Sequence, residues 1–136
     1  MDNTWRAVKL NLDMSYTVFD LGPYPDLPRQ INPTEDVTFG LAFLNGPLDL
    51  HPGHVTVGIA VDEDGYMKRL PINKLACSLH GAFVLRAEPL VGTAIVVGSD
   101  WRGDIADVPD WVINLIRELK RAVDIGFKYH QNVDYN

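Results

Sequence analysis

The chain carries one cysteine, Cys77, in 136 residues, which excludes an internal disulfide. That favours a cytoplasmic setting over an oxidising one. Cys77 lies in KLACSLHGAF and reads as a small buried hydrophobe rather than a catalytic thiol. Long apolar runs are missing too. No uncharged stretch approaches the roughly 18 residues of a membrane span, and MDNTWRAVKL lacks the basic-then-apolar order of a signal peptide. No membrane association is expected. Basic residues are scarce: 12 against 18 acidic, a net charge of −6. Nucleic acid is therefore an unfavourable partner, because phosphate contacts need clustered Lys and Arg. A protein partner, basic where it meets this chain, suits that balance better.

Chemical signatures are thin as well. There is no nucleophile elbow, phosphate loop or dinucleotide fingerprint. His51 and His54 form an H-x-x-H inside a Pro-Gly loop, and His80 stands apart. Zinc needs three or four convergent ligands, so no metal or other cofactor is expected. Asp62-Glu63-Asp64-Gly65 lacks the spacing of a calcium loop and reads as a hairpin turn. The Arg-Gly-Asp tripeptide at 102–104 is read as a chance match.

What is present is 46% hydrophobic residues in a chain long enough for one core, expected as a single domain over 1–136. Residues 7–21, AVKLNLDMSYTVFDL, alternate strictly. Val8, Leu10, Leu12, Met14, Tyr16 and Val18 fall on one face, with short polar groups on the other. Thirteen residues of strand reach roughly 43 Å. A compact domain of this size is only roughly 37 Å across. The expectation is one strand divided by a bend, or an intersubunit edge.

Residues 20–36 hold four prolines and read as a long irregular connection. Strands are expected at 37–44, 54–61, 80–87 and 92–98, with Asp64-Gly65 turning the chain into a further strand at 66–72. The segment 37–44 has a large face (Val37, Phe39, Leu41, Phe43) and a small one (Thr38, Gly40, Ala42). The last element is a helix. Asp107 is its expected N-cap, Gly126 its C-terminal residue, and Val112, Leu115, Ile116, Leu119, Ala122 and Val123 its buried stripe. The tail 128–136 reads as frayed or docked on a partner. Together these give an α+β fold: a curved, mostly antiparallel sheet of about six strands with one long C-terminal helix packed on it. One helix cannot cover so wide a sheet. Self-association into a homo-oligomer follows as an expectation.

The loop GSDWRGDIAD, 98–107, is the foremost candidate site, because it follows an interior strand and precedes a helix. Trp101 and Arg102 are residue types common at binding hot spots, and Asp100 and Asp104 make the loop acidic. The leading reading is a small acidic, non-enzymatic binding protein that recognises a macromolecular partner and inhibits or neutralises it. A second reading is a small-ligand or sequestering module, with Asn11, Asp13, His54 and Thr56 on its cavity wall. The His54-Val55-Thr56 opening of a strand also resembles one motif of two-histidine phosphoesterases, which implies His54 as an acid or base. Those enzymes need a second such motif. Here Ala82 and Asn132 stand where its hydroxyl belongs.

Overall fold

The computed structural model describes residues 3–23, 26–45, 54–100 and 102–132, the stretch 126–132 by its backbone alone. The alternating N-terminal stretch is two strands, not one bent strand. β1 (Trp5–Leu10) and β2 (Tyr16–Leu21) form an antiparallel hairpin with Val8 opposite Val18. Side chains of the expected polar face close the turn. Asn11 donates to Ser15 Oγ at 3.0 Å, and Asp13 Oδ1 accepts from Ser15 N–H and Oγ–H. Met14 takes the left-handed conformation, φ 69°. Asn, Asp and Ser build such turns through their own side chains. Neither Gly nor Pro marks the spot, which is why the alternation reads straight through it.

The remaining strands are β3 (Phe39–Phe43), β4 (Thr56–Asp62), β5 (Ala94–Ser99) and the two-residue β6 (Ile105–Ala106). The sheet runs β2-β1-β5-β4-β3, with β6 against the end of β5, and every pairing is antiparallel. Among the described residues β2 and β3 are the edges.

Among the described residues three helices flank the sheet, where one was expected. α1 (Asp26–Ile31) lies in the proline-rich connection. Pro28 sits in its first turn, where the missing N–H is no loss. α2 (Lys74–Gly81) and the long α3 (Asp110–Asn132) share the opposite face. Asn73 caps α2, its side chain accepting from Ala76 N–H at 3.0 Å. The expected strand 80–87 is therefore wrong. Its start is the end of α2, and the rest is an exposed turn in which Leu85 is 91% exposed. Leu75, Ala76 and Leu79 give α2 its buried stripe. The strand expected at 66–72 is also absent. That stretch closes on itself in successive turns, and Ile72 keeps an isolated bridge to Val91.

Two apolar layers result. Val8, Leu10, Val57, Ile59, Ala94 and Val96 face α2 and α3, meeting Leu75, Leu79, Val112 and Ile116. Ala7, Leu21, Ala60 and Ile95 face α1, meeting Leu27, Ile31 and Val37. α3 departs from expectation at both ends. The Asp107 carboxylate accepts from Arg6 N–H at 2.7 Å instead of capping the helix, and the helix runs past Gly126. Its stripe fades with distance: Val112 and Ile116 are fully buried, Ala122 is exposed, and Ile125 is 60% exposed.

Candidate apolar groove and its acidic rim

The α1 layer is short. A helix of six residues spans about 9 Å, against roughly 24 Å across the sheet. Beside α1 the sheet face opens into a groove of about 230 Å³. Gly58 and Val97 line its centre on β4 and β5; Leu41 and Phe43 line it on β3; Leu27 on α1 closes one side. Gly58 lacks a Cβ where the Phe43 ring and the Leu41 side chain come within 3.5 and 3.6 Å of that position. The absent side chain leaves the space. Leu41 and Phe43 are each 38% exposed, so the groove is wet on the β3 side.

The far wall is the β5–β6 hairpin, contributing Gly103 and Ile105. Its loop is the acidic segment singled out in the sequence. The Asp100 carboxylate accepts from Arg102 N–H at 2.8 Å and Asp104 N–H at 3.0 Å. Asp100 N–H donates to Asp104 O, and Gly103 sits at φ +85°. Asp100 thus builds the turn. Arg102 and Asp104 are exposed on it. Trp101, the expected anchor, lies outside the described residues.

The second set of expected residues is dispersed. Thr56 is buried at the groove, opposite Ser99 in the β4–β5 ladder; neither hydroxyl has a hydrogen-bond partner among the described residues. His54 is half-buried, its Nε2 3.5 Å from the Asn45 side-chain nitrogen. Asn11 and Asp13 are in the β1–β2 turn, beyond Leu10, which pairs with Ala94 at the other end of β5. Five residues of strand, roughly 17 Å, separate that end from Thr56. The four do not share a wall. Hydrogen bonds from the Ser15 hydroxyl and N–H hold the Asp13 carboxyl below its ordinary value. That places Asp13 in turn chemistry. His51 lies outside the described residues, and His80 is on α2, across the sheet from the groove. Among the described residues no group of three His, Cys, Asp or Glu side chains gathers to hold a metal ion, and no helix is long and apolar enough to cross a membrane.

One buried charge lies away from the groove. Asp62, 4% exposed at the end of β4, takes a 2.6 Å bond from Lys68 Nζ, which also reaches Glu35 at 3.3 Å. Burial alone would raise the Asp62 carboxyl. The Lys68 hydrogen bond, the Asp64 N–H and the Lys68 charge outweigh it and hold Asp62 below its ordinary value. The bond to Asp62 lifts Lys68 above its own, against desolvation and with help from Glu35.

The loop 98–107 and Thr56, singled out in the sequence, border this groove; Leu27, Leu41, Phe43, Gly58 and Val97, which line it, were not named as site residues. The large-and-small facing of 37–44 was the available signal, since it marked Leu41 and Phe43 as one surface. Comparison of the chain with protein-family models, with curated proteins and with solved structures gives no match.

Proposed function

We propose that this chain is a small acidic binding protein that recognises a macromolecular partner and neutralises it by occupying its surface. The observation that carries the reading is the open groove beside α1, walled by the acidic β5–β6 hairpin. The groove accepts one apolar side chain of the partner. Asp100 and Asp104, with the chain's net charge of −6, favour a partner that is basic around that side chain. At about 230 Å³ the groove is below the roughly 300–1,000 Å³ of small-molecule sites, which supports a protein anchor over a free ligand. The unpartnered Thr56 and Ser99 hydroxyls keep a small polar ligand as the second reading.

The test is selection from a displayed random-peptide library with the native chain as bait, counter-selected on Gly58→Val. An added Cβ at 58 already meets Phe43 and Leu41 at 3.5 and 3.6 Å, so the branched carbons of Val crowd those side chains and close the groove without changing charge. The expected result is enrichment of peptides with an aromatic or aliphatic residue beside Lys or Arg, retained by the native chain and lost on the variant. Enriched peptides that bind both equally refute the groove.

A further inference from the structure

We infer that the β3 edge pairs with the β3 edge of a second copy of this chain, forming one antiparallel sheet across a two-fold axis. β3 is a sheet edge. Leu44 N–H donates to Val57 O and Glu63 N–H to Thr38 O, so the even-numbered residues of this strand bond to β4. The peptide groups of Leu41 and Phe43 therefore point outward, away from the sheet. Such a row is a template for another strand, and proteins usually blunt it with Lys, Pro or a bulge. Phe39-Gly40-Leu41-Ala42-Phe43 has none of these. The other edge, β2, carries Asp20.

The strand itself names the occupant, because it reads nearly the same in both directions: large, small, large, small, large. Antiparallel pairing centred on Leu41 sets Leu41 against its own copy, where outward-facing residues exchange both peptide hydrogen bonds. Gly40 then faces Ala42, and Phe39 faces Phe43, a favourable cross-strand aromatic match. Leu41 and Phe43, each 38% exposed, gain cover on the groove side. Antiparallel order also puts Glu35 and Asp36, before β3, at opposite ends of the pair. A parallel pair would bring them together.

A five-residue edge buries less than the roughly 800 Å² per partner of a standard interface, so the dimer is reversible. Two copies at −6 each repel, so salt strengthens it. Sedimentation equilibrium over a concentration series, at about 0.15 M and about 0.5 M salt, reads this directly. The native chain is expected to show a monomer–dimer equilibrium that tightens with salt. Leu41→Lys raises the dissociation constant at least about tenfold, as an edge lysine blocks strand addition. Val18→Lys, on the β2 edge, leaves it unchanged. Hydrogen exchange on the unmodified chain covers misfolding of a variant: the Leu41 amide slows as concentration rises. A native chain monomeric at every concentration, a Leu41→Lys chain that still dimerises, loss of the dimer in Val18→Lys, or concentration-independent Leu41 exchange overturns the pairing. Leu41 also lines the groove, so the pairing is read without peptide, by sedimentation and exchange alone, and is scored separately from the Gly58→Val test of the groove.

Discussion

Asn73 is fully buried, and its side chain ties three elements together. Its Nδ2 donates to Leu10 O and Gly92 O, both at 2.9 Å, while Oδ1 accepts from Ala76 N–H at the start of α2. Asn73→Ala leaves two buried carbonyls unmatched and removes the cap, and should cost about 2–3 kcal/mol in urea denaturation. Asn73→Asp should cost more, because a carboxylate has nothing to give those carbonyls. Asp62 and Lys68 set a pH window instead. Asp62 is depressed, so its contribution is present above the ordinary carboxylate value of about 3.9 and is lost as pH falls through its lower folded value. Lys68 is raised, so its contribution is complete below about 10.4 and is lost as pH climbs through its higher folded value. Between about pH 5 and pH 9 the pair's contribution is flat. Lys68→Met should lower the urea midpoint most inside that window, with the gap to the native chain closing as Asp62 protonates. A gap that persists unchanged at low pH would show that Lys68 acts through packing alone.

At the scale of elements, period was a good guide where an element carries its own signal. β3, β4, β5 and the buried first half of α3 were all legible, because each alternates or repeats over enough residues to exceed local noise. Short helices were not. α2 spans eight residues, and its buried Leu75, Ala76 and Leu79 sit next to the apolar Phe83, Val84 and Leu85, which together mimic a strand. Leu79→Ala should cost about 2–5 kcal/mol. Leu85→Ala should cost under about 0.5 kcal/mol. Equal costs would restore a buried 80–87 strand. The start of α3 was misjudged for a related reason: capping depends on what else competes for the side chain. Asp107 is taken by Arg6 N–H, and the Arg6 guanidinium binds Val108 O at 2.9 Å and Asp110 at 2.9 Å. Arg6→Ala should loosen this junction by about 1 kcal/mol, discounted for its partial exposure. Faster hydrogen exchange at the Val112 amide, with β4 unchanged, would locate the loss. The groove was illegible for the opposite reason to α2. Leu27, Leu41, Gly58 and Val97 belong to four elements that only the β2-β1-β5-β4-β3 order brings together.

Across the whole molecule the two sheet faces are unequally covered. α2 and α3 shield one face; the six residues of α1 shield part of the other. The shortage of cover expected from a single helix is therefore reduced on one side and left on the other, where the groove lies. A second apolar surface competes for attention. Phe83 and Trp111 touch with ring centroids 6.0 Å apart, next to Leu85 and a depression of about 650 Å³ around 81–89. That surface is larger, but it is more open to solvent and Leu85 projects from it. The groove is smaller and walled on several sides, so a probe loses more water contact there. A neutral apolar dye such as Nile red distinguishes the two. The native chain should enhance its fluorescence without unfolding. Gly58→Val should abolish most of that signal, and Leu85→Ser should spare it. The reverse pattern would move the recognition surface to the 81–89 loop, which follows α2 on the face of the sheet opposite the groove, and the charge argument for a basic partner would go with it.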